Sequence, residues 1–171
     1  MPVSLERRGA VALILIDNPP VNAANHAVRA GIVERLAEAE ADPAVRAVVL
    51  ACAGSTFVAG ADIREFGKPA QEPFLTEVAQ RIEGSSKPVV AALHGTALGG
   101  GFELALACHH RVGTDDPSVI WSLAETGMGI IPGGGGVVRV TRLTGIAATV
   151  LDIIGPGTVF HPASALAAGL V

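Results

Sequence analysis

"GTALGGGFELALACHH", residues 95–110, decides how this chain is read. Three consecutive glycines, Gly99, Gly100 and Gly101, lead into an apolar run whose one carboxylate is Glu103. The run has the character of a helix at least half buried, where an unpaired carboxylate is costly. A glycine stretch that opens a helix also presents backbone N–H groups without intrahelical acceptors, and such groups favour an anion. Just before it, "KPVVAALHG" (87–95) reads as a strand, so strand, glycine turn and helix succeed one another directly.

The same alternation continues on both sides. "VALILID" (11–17) is a branched-aliphatic strand that ends at the turn signal "NPP". From Ala24 to Ala41, Val28, Ile32, Leu36 and Ala39 recur at helical spacing, opposite Glu34, Glu38 and Glu40, and Pro43 stops the helix. "VRAVVLACA" (45–53) is a second buried strand, and the glycine-punctuated stretch 54–67 reads as a loop. "PFLTEVAQRIE" (73–83) is a helix closed by Gly84. A short strand is expected near Arg111–Thr114, then a loop at "TDDPS" (114–118). "IPGGGGVVRVTRLTG" (131–145) gives a second glycine turn into a helix that ends at Gly145. "HPASALAAGLV" (161–171) starts as a capped helix, with Pro162 in its first turn and Gly169 just past its end. Strands alternating with helices mean an α/β fold with crossover connections and mainly parallel pairing.

The 171 residues suit one domain with a sizeable core; half are apolar and only 16% are charged. That balance fits a well-buried protein or one that hides surface in an oligomer. The formal net charge is −4, and only two of the twelve basic residues, Lys68 and Lys87, are lysines. Nothing resembles a basic groove, which argues against nucleic acid as a partner. Cys52 and Cys108 lie in apolar surroundings, as expected of free thiols in a reducing compartment. The N-terminal "MPVSLERRGA" lacks a signal-type apolar core, and Gly, His or Asp breaks every apolar stretch well short of a membrane span. A cytoplasmic protein without a membrane partner is expected.

Neither glycine turn carries G-x-G-x-x-G after a first strand or a terminal G-K-[ST], so a dinucleotide or P-loop cradle fits poorly. A lone glycine triplet can also be a packing device without chemistry. Two such turns, each within ten residues of an acid in apolar surroundings, point to catalysis instead. An enzyme that forms an enolate at a thioester needs backbone donors at the carbonyl oxygen and a carboxylate at the α-carbon. Glu103 follows Gly100 by three positions, which would set its side chain beside such donors. Glu125, in "WSLAETGMG" (121–129), is a second acid among apolar neighbours. Burial raises the pKa of such acids toward the range useful for proton exchange near neutrality.

"TFVAGADIREF" (56–66), "KPVVAALHGTALGGGFELALACHHRV" (87–112) and "LAETGMGIIPGGGG" (123–136), in this order, resemble the enoyl-CoA hydratase/isomerase (crotonase) family. With "NPPVNA" (18–23) and "AAGLV" (167–171) the resemblance covers almost the whole chain. "ADIREFGKP" (61–69) is most similar to the hydratase/isomerase part of multifunctional β-oxidation enzymes. The resemblance implies a spiral of ββα units forming one crotonase-like core domain over residues 1–171, truncated before the family's C-terminal helical part. It also implies a homo-oligomer of three or six chains. The implied reaction is hydration of trans-2-enoyl-CoA, Δ3-Δ2-enoyl-CoA isomerisation, or both, with no cofactor and no metal beyond the coenzyme A of the acyl-CoA substrate. By position, the backbone N–H groups of Ala61 and Gly100 form the oxyanion hole, and Glu103 and Glu125 are the catalytic acids. Ala24, Ala59, Asp62, Ile63 and Gly99 are expected around the substrate, Asp62 chiefly as a cap that fixes its loop.

Other residues have plainer readings. Adjacent His109 and His110 would face different ways on a helix, and no Cys/His spacing supports a zinc site. Cys108 reads as a small buried hydrophobe. Arg29, Arg64 and Lys68 could meet coenzyme A phosphates but are expected to be solvated surface. Two departures from the family pattern stand near the second acid: Ser122 and Ala124 replace a glycine and a proline, and Trp121 is expected near the acyl path. Another reaction of the superfamily, such as thioester hydrolysis or decarboxylation, and a non-catalytic or incomplete acyl-CoA-binding module are the alternatives.

Overall fold

The computed structural model describes residues 1–171. In chain order the elements are β1 (Val3–Arg8), β2 (Val11–Ile16), α1 (His26–Ala41), β3 (Ala47–Cys52), α2 (Leu75–Glu83), β4 (Val89–Leu93), β5 (Ala97–Leu98), α3 (Gly100–Ala107), β6 (His110–Gly113), β7 (Trp121–Ser122) and α4 (Gly136–Thr144). A short α5 (Ile146–Ala148) widens into a π-turn over Thr149–Ile154, followed by β8 (Val159–Phe160) and α6 (Pro162–Ala167).

The branched-aliphatic runs VALILI and AVVLAC lie side by side as β2 and β3, parallel, with Val11 opposite Ala47 and Ile16 opposite Cys52. Five strands form one sheet in the order β1-β2-β3-β4-β6, antiparallel only between β1 and β2. A second, three-stranded sheet runs β5-β7-β8, and a parallel bridge between Thr56 and Thr96 extends its edge. From β3 on, three successive turns of the chain, starting at β3, β4 and β6, each lay one strand in the large sheet and a short segment at the small one before a helical segment follows. This is the expected α/β spiral of ββα units, and the pairing is mainly parallel as expected.

Helix α1 begins where Asn25 accepts from the Val28 N–H, and it buries Val28, Ile32, Leu36 and Ala39 against the sheet. Its Gly31 lies so close to β1 that a β-carbon there would come within 2.8 Å of Val3. One contiguous core of 37 buried apolar residues joins the sheets to α1, α2 and α3. All eight residues of α3 are buried, in line with the expected helix at least half buried, and α3 is the central helix. The glycine triplet explains how it gets there. A β-carbon at Gly101 would overlap the Val58 carbonyl, and one at Gly100 would come within 2.6 Å of Leu75. No helix is long and apolar enough to cross a membrane.

Candidate active site

Glu103 sits in the first turn of α3, where the helix dipole favours a negative charge. Its residue is 1% exposed, and both oxygens are occupied. The Gly134 N–H donates to Oε2 at 2.8 Å and the Gly136 N–H donates to Oε1 at 2.7 Å. Two charge-assisted bonds offset the cost of taking the carboxylate out of water. The second glycine run is what permits this clasp. A β-carbon at Gly134 would lie 2.6 Å from Glu103 Oε2, and one at Gly136 would lie 2.9 Å from Cγ.

Glu125 opens a 3-10 turn, Glu125–Met128, and is 6% exposed. In contrast to Glu103, its Oε2 is buried without a partner. Gly99 borders it so closely that a β-carbon there would come within 2.6 Å of Oε1. Burial pushes the Glu125 pKa up and the nearby Glu103 charge adds to the rise, while its own backbone N–H lowers it. Two acids on either side of one glycine triplet therefore have different surroundings, one clasped by donors and one unpartnered.

Between them lies a pair of free backbone donors. Gly100 opens α3, so its N–H is among those a helix leaves without an intrahelical acceptor. No loop carbonyl or side chain accepts from it or from the Ala61 N–H. A β-carbon at Gly100 would lie 3.7 Å from Ala61 N and 3.9 Å from Glu103 Oε2, which brings both donors and the acid to one point. Two grooves flank Ala61 and Asp62. One, about 460 Å³, is lined by Phe66, Lys68, Phe74 and Leu75; the other, about 440 Å³, by Pro19, Val21, Ala59 and Ile63. A buried carboxylate with an unpartnered oxygen, next to Gly99 and so one residue from an anion-binding N–H group, can take up and return a proton beside a polarised carbonyl.

A family model described as enoyl-CoA hydratase/isomerase matches residues 6–171. The chain belongs to the enoyl-CoA hydratase/isomerase family. It is 46% identical over 162 residues to the peroxisomal bifunctional enzyme of Danio rerio, covering 95% of this chain and 22% of that protein. It is 39% identical over 176 residues to a probable enoyl-CoA hydratase of Bacillus subtilis (strain 168), covering 99% of this chain and 67% of that one. The chain thus spans about a fifth of the bifunctional relative. The crystal structure of enoyl-CoA hydratase from Bacillus anthracis superposes with a TM-score of 0.92 at 30% identity, over 100% of this chain and 69% of that one.

Within this hydratase/isomerase fold, Ala61, Gly99, Gly100, Glu103 and Glu125 come together at the entrance to α3. Ala59 and Ile63 line the second groove. Asp62 borders both grooves, but its carboxylate is engaged: it caps the turn Ile63–Glu65 and pairs with Arg64 at 2.6 Å. The Arg64 hydrogen bonds hold its carboxyl down to about 2. Ala24 lines neither groove; it is buried, its N–H donates to the Gly60 carbonyl and its own carbonyl accepts from Arg29. Ala24 supports the 59–62 loop from behind.

Three readings need correction. Trp121 is fully buried, its indole N–H donates to the Gly95 carbonyl at 3.0 Å, and it packs on Gly113, away from both grooves. Arg29 is a buried guanidinium, not solvated surface. It donates to the carbonyls of Ala24, Gln71 and Pro73 and pairs with Glu65 at 2.7 Å. His109 and His110 follow α3 instead of lying on it, and His109 Nδ1 accepts from the Val89 N–H. Burial pushes the Cys108 thiol up to about 12. Sequence reasoning missed Asn22, whose amide donates to the carbonyls of Ala53 and Thr56 and so ties the 53–61 loop to the N-terminal turn. Its place in "NPPVNA" was the available signal.

Proposed function

We propose that this chain hydrates trans-2-enoyl-CoA to 3-hydroxyacyl-CoA and shifts Δ3-enoyl-CoA to the Δ2 isomer. The Ala61 and Gly100 N–H groups bind the thioester oxygen as negative charge develops there. In hydration a water held by Glu103 and Glu125 adds through its oxygen to C3, and a proton is delivered to C2. In isomerisation Glu125 removes the proton at C2 and a proton returns at C4. Both carboxylates are regenerated, so the chemistry needs no resident cofactor. Ala59, Asp62 and Ile63 border the bound acyl-CoA, and the three- or six-chain assembly of the resemblance, checked by sedimentation, belongs to the same proposal.

The observation that supports this reading most is the unpartnered, buried Glu125 oxygen across Gly99 from the two free N–H donors. Its raised pKa suits an acid that must both give and take a proton. The test follows absorbance at the enoyl-thioester band after mixing the chain with crotonyl-CoA, with Glu103→Gln and Glu125→Gln alongside. Turnover lost in both variants while acyl-CoA still binds supports the proposal. Saturable binding without turnover by the unaltered chain sinks it and leaves an acyl-CoA-binding module.

A further inference from the structure

Gly133–Gly136 form the run of backbone with the greatest conformational freedom in the chain. Yet two of its N–H groups meet Glu103 at 2.8 and 2.7 Å. A turn this loose can present two donors to one carboxylate only if something else fixes it. Arg139, one turn into α4, is 7% exposed and does so from behind. Its Nη1 donates to the Gly134 carbonyl at 3.0 Å, and its Nη2 donates to Glu83 Oε2 at 2.7 Å. Glu83 ends α2 and also accepts from Arg142 at 2.8 Å. Arg139 Nε has no partner, so those two bonds are all that hold the fork.

We propose that Arg139 is a positioning residue for Glu103: bridging Glu83 and the Gly134 carbonyl, it fixes the glycine turn whose N–H groups orient the carboxylate. Its catalytic consequence rests on the hydratase/isomerase reading. A planar guanidinium spans two acceptors with a rigid fork, which the single ammonium of lysine cannot do. The chain from α2 to the acid is therefore Glu83, Arg139, Gly134, Glu103, every link a hydrogen bond.

The test compares Arg139→Met, Arg139→Lys, Glu83→Gln and Arg142→Ala by two readouts. In hydrogen exchange followed by NMR, the Gly134 and Gly136 amides exchange at least about tenfold faster in both Arg139 variants, while the α3 amides keep their protection. Arg142→Ala, which removes an exposed partner of Glu83, leaves both amides within about twofold. Unchanged protection in the Arg139 variants, or equal acceleration along the whole chain, overturns the proposal. With crotonyl-CoA, kcat falls roughly 10- to 100-fold in Arg139→Lys at a KM within about twofold, because the acid is displaced and not removed. A raised KM at unchanged kcat, or an Arg142→Ala loss equal to that of Arg139→Lys, overturns it. If the unaltered chain turns over no enoyl-thioester, the reaction reading fails and the exchange result alone decides on Arg139. Where Arg139→Met does not fold, Arg139→Lys and Glu83→Gln carry both readouts.

Discussion

Replacing Glu103 by glutamine tests the clasp without reference to any substrate. The carboxylate offers two acceptor oxygens to two N–H groups, at 2.8 and 2.7 Å. An amide of the same shape keeps one acceptor and turns an NH2 group toward the other N–H. One charge-assisted bond becomes neutral, the second is lost, and a buried donor faces a donor. At about 1–3 kcal/mol for each of the two buried donors left facing one another the cost is about 2–6 kcal/mol, and relief of the Glu103–Glu125 repulsion brings it into the lower part of that range, about 2–4 kcal/mol. For a chain of this size each kcal/mol moves Tm by about 2–4 °C, so Glu103→Gln should melt about 5–15 °C lower at pH 7. Thermal unfolding followed by far-ultraviolet circular dichroism measures it. A Tm within about 1 °C of the unaltered chain would refute the claim that Gly134 and Gly136 hold this carboxylate.

Glu125→Gln should behave in the opposite way. Glu125 has a raised folded pKa, so its contribution to stability is fully present below its ordinary value of 4.5 and is lost as pH rises through the folded value. The Tm of Glu125→Gln relative to the unaltered chain should therefore climb between pH 4 and pH 7; a flat difference argues against the burial of an unpartnered charge. Gly101→Ala drives a β-carbon into the Val58 carbonyl, whereas Gly133→Ala meets nothing within 4 Å. The first should lose about 3 kcal/mol or more, or fail to yield soluble protein, and the second should match or slightly exceed the unaltered Tm. Arg29→Met removes the donor that holds the Gln71 and Pro73 carbonyls, and should speed chymotryptic cleavage at Phe66 or Phe74 about tenfold. Arg35→Met, which loses only pairs with the exposed Glu34 and Glu38, is the control that should cleave at the unaltered rate.

The elements that could be read from the sequence are those whose signal is local. β2, β3, α1, α2 and α3 each carry their own periodicity or punctuation; the ends of the first four fall within two residues of the expectation, and α3 opens at the glycine triplet as expected. β1 was hidden because "SLERR" carries three charges; it is an edge strand that needs only Val3 buried and pairs antiparallel with β2. β5, β7 and β8 are two residues each, too short for any period to register. They form because successive turns of the spiral bring them side by side, β5 with β7 in parallel and β7 with β8 antiparallel. At the site, Glu103 was legible from an acid in an apolar helix, but its partners stand 31 and 33 residues away. Arg29 and Arg139 escaped for the same reason. A buried arginine is indistinguishable from a surface one until the carbonyls that surround it are known, and these come from 5 to 44 residues off.

The clasp on Glu103 also couples the stability of segments far apart in the chain. β1 to α3 include four strands of the large sheet and most of the core, and by locality they would collapse early. Docking α3 at that stage would bury a carboxylate with no donors, because Gly134 and Gly136 have not yet reached it. A form with α3 docked and the turn before α4 still absent would carry the desolvation cost of Glu103 without its compensating bonds. Early and late segments become one cooperative unit, and a partly folded form keeps the entrance of α3 wet.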